Sequence, residues 1–475
     1  MMKRIVAALV VCVLVGGWVV AQDEPPVLTW GAYSFFTVNL ARGSNGYGDL
    51  GYKDPNDGAR LTRVIGDFTQ YGRMYVNMTK QTNIGTVLGM VRIIQNGKPF
   101  GDVGQTYMDG YAAWRPDPMF TIAGGRGING LMGGSAMNRL DLPDDDYGVQ
   151  LYAGDIGAAS TSNVFIGSGF NQGLGFAIVP IPNTLYVHVG LPYLTKDAAD
   201  APELAEILRQ VNARAYYNMD GGTIGLGYKN GKQDKLDVKD GDNYIGKRVE
   251  TTVGSMYLFY KNTMVDNLDL RLGLRYQLPG SVDFTVGKAT KEAYPDDAKN
   301  ASTNNASNFE VGLNGDYSTD TFGVYFGGTF LTYIGGEENK DLAKAIEGGL
   351  FTLADLGKDK EWYLDSRASY REVASRFSVE LAPYYQVTDN VKAVLAGSFG
   401  MDLAGADYKN GEGKKSIEAQ TFWGVNPYCT IAIGSNMDFQ LGVQLYGNNG
   451  TLKADGKRER AVMNWAVPMT LYFVF

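Results

Sequence analysis

The sequence predicts an all-β protein, a closed antiparallel transmembrane β-barrel of about 18 strands within a range of roughly 16–20. Three observations lead to this fold class. Apolar and polar residues alternate with period two along many segments, short polar turns separate pairs of such segments, and the last residues alternate up to a terminal aromatic residue. Period-two alternation is typical of a strand whose two faces meet different surroundings.

The composition excludes several classes of protein. The 475 residues include 43 Lys and Arg against 51 Asp and Glu, which gives a net charge of −8 and argues against nucleic acid as a partner. With 44% hydrophobic and 12% aromatic residues, the chain is too apolar to be disordered. The single histidine, His188, leaves no ready zinc site or histidine-based triad, so we expect no enzyme activity, no metal and no cofactor.

The N-terminus is typical of a cleavable secretory signal. Lys3 and Arg4 precede an apolar run over residues 5–20, which closes on the small residue Ala21 before the acidic Asp23. A membrane anchor is the alternative, but the run is short for a membrane span. We therefore predict a signal peptide over residues 1–21, export through the Sec route into the periplasm, and a single barrel domain over residues 22–475.

The clearest alternating segment covers residues 267–276. One face carries four leucines, whereas the other carries charged residues and a glycine. A soluble sandwich and a membrane barrel both use such strands, so this segment alone does not choose between them. The alternating residues are Leu268, Leu270, Leu272 and Leu274 on one face and Asp269, Arg271, Gly273 and Arg275 on the other.

Repetition of hairpins favours the barrel. Short turns would join the strands at the periplasmic rim, and longer connections rich in Gly, Asp, Asn and Lys would form extracellular loops at the other rim. Each of the nine short turns joins two strands, and with the two terminal strands this gives about 20 strands. The number is about 18 if residues 148–194 form two long strands rather than four short ones. The turns are at residues 80–83, 115–118, 154–162, 180–183, 220–222, 263–266, 318–320, 388–390 and 434–436.

The C-terminus carries the most specific pattern. Counted backwards by twos from Phe475, every second residue is apolar, beginning with Phe473 and Leu471. This resembles the last strand of bacterial outer-membrane proteins, whose terminal aromatic residue is recognised by the barrel assembly machinery. The resemblance implies a location in the outer membrane, contact with its lipid, and an assembly signal at Leu471, Phe473 and Phe475. A closed barrel suits lipid because lipid offers no hydrogen-bond partner to free strand edges.

Residues 110–126 extend the resemblance. A strand, a Pro/Asp turn and a second strand ending in Gly125-Arg126 look like the porin pattern that precedes the third extracellular loop. In porins that loop folds into the lumen and narrows it. The resemblance therefore implies a constriction loop at residues 127–147, although these residues lack the acidic Pro-Glu-Phe signature of many general porins. The loop ends in the acids Asp144, Asp145 and Asp146.

Charged residues on alternating strands are expected to line the lumen, because a Lys or Arg facing the middle of the bilayer costs about 2 to 4 kcal/mol. Arg126 is included as a residue past its strand end, since its own parity matches the apolar Phe120 and Ile122. The expected pore-lining residues are Arg63, Asp67, Arg73, Arg92, Asp109, Arg126, Asp269, Arg271, Arg275, Arg376 and Glu380, with Arg214, Glu310 and Asp402 on the same rule.

Such a barrel resembles an outer-membrane porin, a water-filled channel for the passive diffusion of small hydrophilic solutes and ions. Arginines on one wall and acids opposite would set up a transverse field; alternatively, the charges pair and only solvate the lumen. A substrate-specific outer-membrane transporter and a surface adhesin or ligand-binding barrel that displays its loops remain alternatives. The sequence leaves open the solute, the sign of ion selectivity, and whether the protein is a monomer or a homotrimer.

Candidates for the interfacial aromatic girdles are Trp30, Trp114, Phe473 and Phe475, each near a strand end.

Overall fold

A computed structural model gives the structure of the chain. It describes residues 25–44, 60–97, 105–128, 131, 172–191, 211–231, 233–240, 243–251, 253–262, 264–288, 301–304, 307–334, 375–403, 408–410, 413–415, 418–452 and 457–475. The predicted signal peptide at residues 1–21 and the acids Asp144, Asp145 and Asp146 lie outside these ranges, so those predictions stay predictions.

The described residues form 27 strand segments. They are β1 (Val27–Ser44), β2 (Arg60–Thr82), β3 (Gly85–Gly97), β4 (Gln105–Asp117), β5 (Phe120–Arg126), β6 (Gln172–Ile181), β7 (Leu185–Leu191), β8 (Asn212–Met219), β9 (Gly222–Asn230), β10 (Gln233–Asp240), β11 (Asn243–Thr251), β12 (Gly254–Asn262), β13 (Leu268–Gln277), β14 (Ser281–Val286), β15 (Ala301–Asn304), β16 (Ser307–Ser318), β17 (Phe322–Ile334), β18 (Ser375–Thr388), β19 (Val391–Leu403), β20 (Tyr408–Asn410), β21 (Gly413–Lys415), β22 (Gln420–Ala432), β23 (Met437–Gly442), β24 (Gln444–Asn448), β25 (Thr451–Leu452), β26 (Arg458–Glu459) and β27 (Val462–Val474).

Nineteen of these segments form one antiparallel sheet that closes on itself. β23 and β24 follow each other along the chain, and each pairs with β22 on one side and β27 on the other, so they are two parts of one barrel strand. The barrel therefore has 18 strands, which confirms the predicted fold class and the strand number that the sequence favoured.

β1 and β27 close the barrel. Phe475 N–H donates to the carbonyl of Ala32 at 2.8 Å, and Ala32 N–H donates to the carbonyl of Phe475 at 3.0 Å. Further along the seam, the hydroxyls of Thr37 and Thr470 are 2.8 Å apart. The start of β1 and the end of β27 therefore lie at the same rim, and neither of these strands keeps an unpaired edge along this seam.

Short turns lie at the rim where β1 begins and β27 ends. They join β2 to β3, β4 to β5, β6 to β7, β8 to β9, β12 to β13, β16 to β17, β18 to β19 and β22 to β23. These match eight of the nine predicted turns, and the ninth, at 154–162, lies outside the described residues. The compartment that each rim faces and the length of the loops at the opposite rim stay predictions.

A second sheet rises from four neighbouring barrel strands. Its order is β10, β11, β14 and β15, and these segments directly follow or precede β9, β12, β13 and β16 in the chain. The four barrel strands stand in the same order around the wall. The four-stranded sheet therefore extends the barrel wall beyond the rim opposite the short turns.

The outer face of the barrel carries large apolar side chains. Met108 is 72% exposed and Leu226 61%, although both belong to strand interiors. Exposure of this extent on a paired strand is what a lipid-facing wall requires.

Exposed aromatic side chains form two bands on this face. Along β17 the bands are separated by the stretch from Phe322 to Phe330, about 27 Å of strand. With barrel strands tilted by about 35–45°, this is a height of about 19–22 Å, close to the apolar band of an outer-membrane barrel. One band lies near the short turns and contains Trp30, Trp114, Tyr217, Tyr317, Phe322, Tyr385 and Phe475; the other contains Tyr276, Phe330 and Phe399.

No helix within the described ranges has both the length and the apolar character needed to cross a membrane.

Candidate functional site

The candidate site is the inner wall, the face of the barrel strands opposite the exposed apolar side chains. Buried polar and charged residues concentrate there: Arg214 is 2% exposed, while Glu310 and Asn426 are buried as well. Alternation explains this sorting, because a side chain on the outer face would have to leave water for lipid.

Arg92, Asp109 and Arg126 meet on the inner wall of β3, β4 and β5, and we call them the Asp109 cluster. Arg92 and Asp109 stand opposite each other in the ladder, and the guanidinium donates two hydrogen bonds of 2.7 Å to the two carboxylate oxygens. Arg126 Nε lies 3.5 Å from Asp109 Oδ2, and its guanidinium lies over the Tyr107 ring at 5.1 Å. One carboxylate thus serves two arginines, which leaves the cluster with a net positive charge.

Asp269 joins two cations near the turn between β12 and β13. Lys261 Nζ and Arg271 Nη2 each lie 2.9 Å from Asp269 Oδ2. Lys261 and Arg271 stand opposite each other in the ladder of β12 and β13, which brings them to the same carboxylate. The Lys261 contact was not expected from the sequence. Lys261 lies four residues after the buried Tyr257 in the same strand, so period-two alternation would have placed both side chains on the inner face.

Two further ion pairs bridge neighbouring strands. Arg275 Nη2 on β13 lies 2.9 Å from Glu310 Oε2 on β16. Arg376 on β18 pairs with Asp402 on β19 through both nitrogens of its fork, one of them at 2.7 Å. Each pair consists of residues directly opposite in the ladder, so strand register decides the partner.

Two of the remaining expected pore-lining residues, Arg73 and Glu380, have side-chain contacts on the inner wall. Arg73 lies with its guanidinium 5.1 Å from the Tyr33 ring, on the face opposite the exposed Met74. Glu380 is buried and accepts a 3.5 Å hydrogen bond from the Tyr325 hydroxyl. Arg63 and Asp67 lie on β2 where only the backbone is described.

Aromatic residues also occupy the inner wall, a feature that the alternation of residue types did not predict. Tyr216 stacks on Tyr186 with ring centroids 4.6 Å apart, and Tyr216 packs with Tyr257 and Phe259. Tyr384 donates toward both carboxylate oxygens of Asp316 at 3.2 Å. Tyrosine suits either face of such a wall because its ring is apolar and its hydroxyl polar, so parity alone gave no signal.

Charge is distributed unevenly around the inner wall that the structure describes. Strands β1 to β9 carry mostly cations, whereas the acids concentrate on β13 to β23, and the wall from β12 to β23 also carries cations. β3 and β16 stand on opposite sides of the barrel, since they are half of its circumference apart. The first wall carries Arg42, Arg73, Arg92, Arg115, Arg126 and Arg214 with Asp109; the other carries Asp269, Glu310, Asp316, Glu380, Asp402 and Asp438 with Lys261, Arg271, Arg275, Arg376 and Lys392.

The segment after Arg126 begins on the inner wall. Ile128 is buried against Ala113, Ala123 and Ala177, and Leu131 packs on the same group. These alanines belong to the inner parity of β4, β5 and β6. The start of the candidate constriction loop at residues 127–147 therefore contacts the inside of the barrel, while most of that range lies outside the described residues.

The expected assembly residues lie on the closing strand. Leu471 and Phe473 share the outer parity of β27, and the rings of Phe473 and Phe475 are parallel within 4° with centroids 6.4 Å apart. Phe475 is 65% exposed, so most of its ring surface is uncovered by the barrel.

Among the described residues, no group of three or more His, Cys, Asp or Glu could bind a metal ion.

No family model and no curated protein matches this sequence. Among solved structures, the chain is similar to the outer membrane channel DcaP of Acinetobacter baumannii at 8% identity and a TM-score of 0.42, covering 96% of this chain and 99% of that one. It is similar to OprD of Pseudomonas aeruginosa at 11% identity and a TM-score of 0.46, covering 96% and 97%. A BenF-like porin from Pseudomonas fluorescens Pf-5 gives 10% identity and a TM-score of 0.43, covering 96% and 100%.

The similarity to each of these structures extends over nearly the whole of this chain.

Proposed function

We propose that this protein is an outer-membrane porin, a water-filled channel through which small hydrophilic solutes and ions diffuse passively. The observation that carries the proposal is the opposite character of the two faces of one closed wall of 18 strands. The outer face exposes large apolar residues between two aromatic bands, and the inner face holds ion pairs. Barrels of this size leave an aqueous channel unless a plug fills them, and passive passage needs neither a catalytic residue nor a cofactor.

We further propose that the inner-wall charges shape the path of the solute. The cationic wall of β1 to β9 faces the wall that carries most acids, which supports a transverse field across the lumen. Extensive pairing of the same charges supports the weaker role of solvating the wall. Both roles operate together if the surplus arginines, such as Arg126, supply the field while the pairs hold their neighbours in place.

Residues 127–147 are proposed as the constriction, with Asp144, Asp145 and Asp146 contributing acids to it. The packing of Ile128 on the inner alanines supports this placement, because it turns the segment into the barrel from its first residues. The same proposal assigns Leu471, Phe473 and Phe475 to recognition by the barrel assembly machinery. Assembly as a homotrimer or as a monomer is left to measurement.

Single-channel conductance of the refolded protein in a planar lipid bilayer tests the porin function. Steady open-channel steps that scale with bulk conductivity are the expected result, and the reversal potential under a salt gradient gives the sign of selectivity. A folded barrel, shown by its heat-dependent migration in a gel, that passes no current would overturn the proposal. Sedimentation in detergent gives the number of subunits in the same preparation.

A substrate-specific channel is the second candidate, and the inner Tyr-Arg neighbours favour it. Arg73 lies over Tyr33 and Arg126 over Tyr107, so the wall offers rings and fixed cations together. Flux into liposomes distinguishes the two candidates. Uptake linear in solute concentration indicates a diffusion pore, whereas uptake that saturates for one solute and is blocked by its analogues indicates specific binding.

A further inference from the structure

The side chain of Arg126 lies on the wrong face for its place in the strand. On β5, Thr121 and Ala123 are buried on the inner wall, while Ile122 stands opposite the exposed Trp114 on the outer face. Continued alternation would send Arg126 outward with Ile122. Its guanidinium instead contacts Asp109 and Tyr107 on the inner wall.

The alternation fails at Gly125. Its φ is +134°, a backbone conformation that L-residues with a side chain rarely adopt. A Cβ at this position would lie 2.4 Å from the carbonyl oxygen of Gly110 and 2.6 Å from Tyr111 Cα, both of them backbone atoms. Any other residue must therefore change this backbone, and with it the direction in which the next side chain leaves the strand.

Gly127 fixes the other side of Arg126. Its φ is +85°, and a Cβ there would lie 3.0 Å from Met90 Cε and 3.3 Å from Arg92 Nη2. The chain therefore bends back against the guanidinium of Arg92 directly after Arg126. Ile128 then packs on the inner wall and holds the bend in place.

We propose that Gly125 is a positioning residue that sets the ion selectivity of the pore by turning Arg126 onto the inner wall. The proposal rests on the proposed pore function. Asp109 is already neutralised by the two bonds from Arg92, so Arg126 adds an unbalanced positive charge to the cluster. The Arg126 side chain is 49% exposed, so this charge acts on ions in the lumen rather than being consumed in a buried pair.

The test compares reversal potentials of four channels under the same salt gradient: the unchanged protein, Gly125→Ala, Arg126→Gln and the double variant. We expect Gly125→Ala and Arg126→Gln to shift the potential in the same direction, toward cations, by similar amounts. The double variant should shift no further than Arg126→Gln. An unshifted Gly125→Ala channel, or an additional shift in the double variant, contradicts the proposal.

Gly124→Ala is the matched control. It adds the same methyl group one residue earlier, where φ is ordinary and the nearest atom, Leu174 Cδ1, is 4.0 Å away. We expect the reversal potential of the unchanged protein. A shift as large as that of Gly125→Ala would show that any methyl group in β5 disturbs the pore, and would overturn a specific role for Gly125.

Thiol labelling gives a readout that does not depend on the folding of Gly125→Ala. Cys429 is replaced by Ser, Arg126→Cys is introduced, and a negatively charged, water-soluble methanethiosulfonate is added to the open channel. We expect a step change in current with Gly125 present, because the new thiol faces the lumen. No change in the current of a conducting channel would overturn the proposal. If the unchanged protein itself passes no current, the porin function has failed rather than this inference.

Discussion

Arg275 and Glu310 face each other across β13 and β16, with Arg275 Nη2 2.9 Å from Glu310 Oε2. Both side chains are about nine-tenths buried on the inner wall, and Asn308 Oδ1 accepts a further 3.0 Å bond from the same guanidinium. The pair therefore links two strands and leaves each charge dependent on the other.

Glu310→Gln should lower the free energy of unfolding by about 3 kcal/mol, because it leaves a buried guanidinium without its countercharge. Urea unfolding in lipid vesicles, followed by tryptophan fluorescence, measures the change. The double variant Arg275→Gln/Glu310→Gln should recover part of the loss, since two amides can bond to each other. A double variant that loses the sum of both single changes would show that the two residues act independently.

Arg73→Gln should move the reversal potential toward cations, because Arg73 belongs to the cationic wall and lies over Tyr33. Combining it with Arg63→Gln should increase the shift. The matched control is Arg460→Gln, which removes the same charge from an exposed position outside the barrel strands. If the Arg460 variant shifts the potential as much as the Arg73 variant does, net charge and not position sets the selectivity.

Phe475→Ala should reduce the amount of folded barrel in the outer membrane of cells. It should leave refolding into lipid vesicles unchanged, because the exposed ring is removed while the backbone bonds to Ala32 remain. Heat-dependent gel migration measures folded protein in both settings. Val474→Ala, at the last residue of β27, is the control. An equal loss in cells and vesicles would mean that the ring stabilises the barrel rather than serving assembly.

Leu226→Arg should destabilise the protein by about 2 to 4 kcal/mol, because it places a charge at the middle of the lipid-facing side of β9. Met219→Arg, at the turn end of the neighbouring β8, should cost only about 0 to 1 kcal/mol, because near the bilayer interface a charge can reach water. Urea unfolding in vesicles measures both. Equal costs would indicate that this face does not meet a lipid interior.

Strand pairs and turns were predictable because their signals are local. Alternation over residues 267–276 and the turn at 318–320 need only neighbouring residues, and both are present as predicted. Residues 148–194 were ambiguous since apolar runs broken by glycines fit either strand count. Described strands β6 and β7 take up part of that range.

The partners on the inner wall were beyond sequence reasoning. Arg376 meets Asp402, and Arg275 meets Glu310, only because the strand registers bring these residues opposite each other. Register depends on the whole sheet, not on any single strand. Arg126 escaped the parity rule for another reason: its direction is set by the φ angle of Gly125, which a pattern of residue types does not record.

The hydrogen bonds between Ala32 and Phe475 place the beginning and end of the barrel side by side at one rim. Around the closed wall, no strand is structurally first or last. A chain in which a short linker joins Phe475 to Pro26, with new ends opened in any of the eight turns, would still contain every strand pairing. Such circular permutants would share one architecture but present different final strands to the assembly machinery. Comparing them would separate the contacts that stabilise the folded barrel from the sequence signal that the cell uses to assemble it.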